Sequence, residues 1–121
     1  MQTIRFLLLF EAAIFAAAAL IHFGAIAAGY EHDKAGVAES VIATVLFTGA
    51  ISTWFGPSWT RGVGIAAQAF ALIGVLIGLF TIVVGVGPRT AADIAYHLAI
   101  VAVLIWGLIA AAGSRSSDAF S

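Results

Sequence analysis

Asp93 and His97 stand four residues apart in an apolar stretch, a spacing that puts a carboxylate and an imidazole on one helix face, about 40° apart in rotation. One helix supplies two ligands to one metal ion in this way. Two more ionisable residues, His22 and Glu39, fall in other apolar stretches at a comparable depth. Together they offer two nitrogens and two oxygens, a donor set suited to zinc, manganese or iron(II). The chain has no cysteine, and no soft sulfur ligand near these residues, which disfavours copper(I). Carboxylates would offset the charge of a divalent ion in a low-dielectric interior, so the expected metal site is His22, Glu39, Asp93 and His97.

The carboxylate–histidine spacing is similar to the paired ligands of cation-diffusion-facilitator metal transporters. That likeness is one of ligand chemistry and does not extend along the chain. A second chemistry uses the same imidazoles: His22 and His97, on different helices at similar depth, could ligate a b-type haem. A third reading makes every buried polar residue structural, in a small accessory or assembly subunit without metal. An enzyme is the weakest reading, because a metal-activated hydrolase would need Glu39 as general base and no nucleophile motif accompanies it.

Glu11 and Gln68 form a candidate inner polar layer, each about two turns from the same end of its helix. Eleven residues separate Glu11 from His22, which leaves about 20° between them on an ideal helix, so both project along one stripe. A proton or ion path is one use of that stripe. A Glu–Gln hydrogen bond between helices is the plainer one, and it predicts contact between Glu11 and Gln68. Glu31, His32 and Asp33, in the first loop, could gather cations for the deeper site or simply form a solvated turn.

Such residues need elements to carry them. Of 121 residues, 63% are hydrophobic and 9% charged, too few charges to cover a water-facing globule. Four apolar stretches account for nearly the whole chain: roughly Ile4–Gly29, Val37–Phe55, Arg61–Val86 and Thr90–Ala112. The first carries buried ionisable residues, which suit a retained helix better than a signal peptide. Gly56–Pro57 and Gly87–Pro88 break the pattern, and Thr90 with Asp93 three residues later reads as a helix start. Gly74-x-x-x-Gly78 invites close approach, within the chain or between copies.

The expected fold is therefore all-α and integral to the membrane: an antiparallel up-down-up-down bundle of four transmembrane helices, forming one domain over 1–121 with a short polar tail at 113–121. No internal repeat emerges from residue types. Arg5, Arg61 and Arg115 against Lys34 and Arg89 favour cytoplasmic termini by a narrow margin, in a bacterial-type plasma membrane. The lipid bilayer is the expected partner, with homo-oligomers or a larger membrane complex open, and a net charge of −1 without a basic cluster argues against nucleic acid. On this reading the protein binds a divalent metal in the outer half of its bundle, for metal or proton-coupled transport.

Overall fold

The computed structural model describes residues 2–114; most of the tail, and with it Arg115, lies outside the described residues. Helix α1 runs over Gln2–His22, α2 over Asp33–Phe55, α3 over Thr60–Val83 and α4 over Ala91–Gly113, with a single 3-10 turn at Pro57–Trp59. There is no strand among the described residues. All four helices are long and apolar enough to cross a membrane. At 1.5 Å per residue they measure roughly 31–36 Å, against about 30 Å of hydrocarbon.

The ends of these helices are set by backbone chemistry that hydropathy does not register. The first apolar stretch continues to Gly29, yet α1 stops at His22, because Gly24 takes a left-handed conformation (φ 77°). Ala25 N–H then donates to the Leu20 carbonyl and Gly24 N–H to that of Ile21, which satisfies carbonyls the helix would otherwise leave free. Helix α3 ends by the same device. Gly85 (φ 89°) turns the chain, and Val86 and Gly85 donate to Thr81 and Ile82, two residues before the Gly87–Pro88 break expected from sequence. His22 is consequently the last residue of α1, where the hydropathy reading set it about two turns deeper.

Two of the helix starts are capped by side chains. Thr90 Oγ1 accepts from Asp93 N–H at 3.1 Å while Asp93 Oδ2 accepts from Thr90 N–H at 3.0 Å, a reciprocal cap in line with the Thr90–Asp93 pattern. Helix α2 is capped by His32, whose Nδ1 accepts from Ala35 N–H. Since Nδ1 accepts, the ring proton sits on Nε2, which donates to the Val86 carbonyl at 3.1 Å and ties the first loop to the third.

The core is a stack of side chains at three- and four-residue intervals: Ile4, Leu8 and Phe15 on α1, Ile42 and Leu46 on α2, Ala71 and Val75 on α3, Ile100 and Leu104 on α4. Helix α3 contributes mostly small residues, so bulky neighbours press onto its backbone. Ile4 lies against Gly64, Ile42 against Gly74 and His97 against Gly78, so the Gly74-x-x-x-Gly78 pair serves packing inside the chain. Facing outward are Phe6, Phe10, Phe55, Phe80, Trp106 and Ile109, so much of the exterior is apolar.

Arginines close the end of the bundle where α1 and α3 begin and α2 and α4 finish. Arg5, buried at the start of α1, donates from Nη2 to the Thr53 carbonyl (2.7 Å) and from Nε to its hydroxyl (2.8 Å), near the end of α2. Arg61, at the start of α3, donates to the Ala112 carbonyl near the end of α4 at 2.9 Å. A cation at a helix C-terminus meets the negative end of its dipole. The two helix pairs also correspond internally. Counted from the starts of α2 and α4, Glu39 and His97, Ile42 and Ile100, and Leu46 and Leu104 hold equal places and all are buried; the two apolar pairs are identical in type and only the polar pair differs.

Candidate functional site

Three of the four residues expected at one site do meet. His22 ends α1, Glu39 lies in the second turn of α2 and Asp93 in the first turn of α4, and they are 2%, 6% and 6% exposed. His22 Nδ1 is hydrogen-bonded to Glu39 Oε1, and Nε2 to Asp93 Oδ1 at 2.9 Å. The imidazole is thus held at both edges by carboxylates from two other helices.

That arrangement differs from convergence on one cation. The two nitrogens of an imidazole point apart, so carboxylates on opposite edges of the ring face it from opposite sides. Among the described residues, no three His, Asp or Glu side chains are arranged to hold one metal ion. His97 is adjacent but turned to another partner: its Nδ1 donates to the Asp93 backbone carbonyl at 2.7 Å. A carbonyl can only accept, so the ring proton is on Nδ1 and Nε2 is left as an acceptor beside Gly78.

Protons can be counted across the cluster. Each of the two hydrogen bonds to His22 needs one proton, and two protons shared by one imidazole and two carboxylates leave a single net negative charge. Asp93 Oδ2 accepts from Thr90 N–H and from its hydroxyl at 2.6 Å. Glu39 Oε2, by contrast, is buried with no partner among the described residues.

Two cavities flank the cluster. One, of about 200 Å³, is walled by all four helices, with Glu39, Tyr96 and His97 among its lining and His32 and Lys34 nearer the loops. The other, of about 380 Å³, is a more open groove of α1 and α4 residues that reaches His22 and Asp93. Tyr96 borders both. Its ring meets Phe15 edge-on at 6.3 Å between centroids, and its buried hydroxyl has no partner within hydrogen-bond distance among the described residues. Sequence reasoning passed over Tyr96; its place beside His97 in a polar turn of α4 was the available signal.

The remaining expected groups fall elsewhere. Glu11 and Gln68 are both fully buried, but no hydrogen bond joins them. Gln68 Nε2 donates to the Gly64 carbonyl at 3.2 Å, its Oε1 fills the space that Gly107 leaves, and neither oxygen of Glu11 has a partner among the described residues. In the loop, Glu31 accepts from Gly29 N–H, His32 caps α2 and Asp33 is exposed as its first residue.

Fold and site together define an all-α chain with four membrane-length helices and a buried carboxylate–imidazole–carboxylate unit. Compared with protein-family models, curated proteins and solved structures, it matches none significantly.

Proposed function

We propose that this chain is an integral membrane protein, an antiparallel up-down-up-down bundle with both termini on the cytoplasmic side of a plasma membrane, that moves protons through its outer half as part of proton-coupled transport. The observation that carries this reading is His22, hydrogen-bonded at one edge to Asp93 and at the other to Glu39, with a cavity on each side. Ionisable residues inside a membrane bundle are costly and are commonly proton relays.

The relay balances. A proton on Asp93 passes to Nε2, forming an imidazolium; the Nδ1 proton then passes to Glu39. One N–H bond has formed and one has broken, and the ring is neutral again, with its proton on the other nitrogen. Release of the Glu39 proton to the cavity it lines, uptake of another by Asp93 from the groove it lines, and return of the ring to its first tautomer together reset the path. A zinc, manganese or iron ion, or a haem iron, bound through His22 would have to displace one of the two carboxylates from the ring.

Purified protein in liposomes holding a pH-sensitive dye tests the proposal under an imposed proton gradient. The intact protein should carry protons above the protein-free background, and His22→Ala should return to background with its helix content unchanged. Equal flux in His22→Ala would overturn the relay. A stoichiometric metal on elemental analysis, lost in His22→Ala, would replace it with the metal reading, and a Soret band would replace it with haem.

A further inference from the structure

The central cavity carries a chemistry of its own. Its wall is largely apolar, including Phe15, Ile42 and Val75, which excludes a hydrated inorganic ion as a natural occupant. His32, Lys34 and Thr81 also line it, and deeper in, on Glu39, Tyr96 and His97, three polar atoms each have a lone pair that can accept a hydrogen bond. Glu39 Oε2 has no partner although the residue is 6% exposed. Tyr96 Oη, on the side of Glu39, has no partner within hydrogen-bond distance either among the described residues. His97 Nε2 is an acceptor because Nδ1 donates to the Asp93 carbonyl, and Gly78 leaves the approach to it free of any side chain.

A primary ammonium group has three N–H donors and one positive charge. The cavity has three acceptors at its deeper end, and among the described residues no Lys or Arg, Lys34 of the cavity's loop end included, lies within ion-pair distance of the cluster's one negative charge. An unpaired buried charge is strongly unfavourable, so a cation seated at Glu39 Oε2 relieves a cost that the unliganded protein bears. The rings of Phe15 and Tyr96 add aromatic surface, which attracts a cation or packs on an apolar body. Size sets the upper limit. A dry cavity of about 150 Å³ accommodates benzene, so about 200 Å³ suits benzene extended by an aminomethyl group.

We propose that the cavity walled by the four helices is a binding site for a small primary amine in its ammonium form, with Glu39 Oε2 as the anionic partner and Tyr96 Oη and His97 Nε2 as neutral acceptors. The site shares Glu39 with the proposed relay and supplies that transport reading with a substrate class, but its occupancy does not require protons to move.

Binding to detergent-purified protein at one fixed pH therefore tests it apart from proton flux. The probes are benzylammonium, benzyl alcohol of the same shape without the charge, and tetramethylammonium without N–H donors. Titration calorimetry should give saturable binding of benzylammonium, with the other two weaker by about tenfold or more, the scale of a charge-assisted hydrogen bond. Glu39→Gln should weaken benzylammonium by a similar factor. Val75→Phe fills the cavity from the opposite wall, and should abolish amine binding while proton flux through His22 persists. Equal binding of benzyl alcohol and benzylammonium, or undiminished affinity in folded Glu39→Gln, would overturn the amine site. Loss of flux with amine binding intact would remove the relay alone.

Discussion

Asp93 meets His22 with the one carboxylate oxygen that its own helix cap does not use: Oδ2 closes the cap with Thr90, and Oδ1 lies 2.9 Å from His22 Nε2. A single side chain thus begins α4 and fixes the orientation of a ring at the end of α1. Any disturbance of the cap moves the site.

The two duties can be separated by substitution. Thr90→Ala removes one cap acceptor and should cost about 1 kcal/mol in thermal unfolding measured in detergent. Asp93→Ala removes the cap and leaves a ring nitrogen of buried His22 without its partner, so the cost should rise by a further 1–3 kcal/mol or about that. Equal losses from the two variants would show that the His22 contact contributes nothing to stability.

His32 predicts a local effect. His32→Ala deletes both the cap of α2 and the bond to the Val86 carbonyl, so amides in the first turn of α2 and in the segment 84–90 should exchange with deuterium faster. Glu31→Ala, at an exposed residue whose side chain meets Gly24 and Gly29 of its own loop, should leave both segments unchanged. Mass spectrometry of peptides after timed exchange reads the difference.

Arg5 is buried and satisfied by the end of α2 alone, and its guanidinium stacks 5.0 Å from the centre of the Trp54 ring. Arg5→Lys keeps the charge but cannot make the two-pronged contact with Thr53. It should destabilise the protein by about 1–3 kcal/mol, nearly as much as Arg5→Gln, and should quench or shift Trp54 fluorescence. A fully stable Arg5→Lys protein would assign the residue's role to charge alone.

The proposed topology makes Lys34 and Ser58 face opposite sides of the membrane. Single cysteines introduced there, in a chain with none of its own, should react with an impermeant maleimide from opposite sides of oriented vesicles. Labelling of both from one side contradicts the bundle.

Hydropathy sufficed to find four helices, because lipid-length apolar runs have few other uses. It misplaced the end of α1 because Phe23–Ala28 is as apolar as the helix before it, while the chain turns at Gly24 for a backbone reason. Depth along each helix groups His22, Glu39, Asp93 and His97, of which the first three share side-chain hydrogen bonds even though His22 lies at the end of α1 rather than two turns inside it. Depth says nothing about which ring edge faces which carboxylate, so convergence on a cation and a clamp around an imidazole look alike in sequence. Matching depth buries Glu11 and Gln68 but gives them no shared hydrogen bond, because rotation about the helix axis decides which atoms face each other. His32 as a cap was hidden because histidine is an uncommon N-cap residue. Arg5 reads in sequence as a charge near a helix end, and what the sequence does not show is that its side chain is buried against the end of α2.

The clamp on His22 also has an order in time. Glu39 follows His22 by 17 residues and Asp93 by 71, so a chain made from its N-terminus presents the first pair long before the second partner exists. Until α4 is synthesised and docked, the imidazole has one edge bound and one edge bare, in a place where bare polar groups are expensive. The last helix to be made therefore carries the residue that completes the first helix's site, and a chain released early announces its incompleteness at His22.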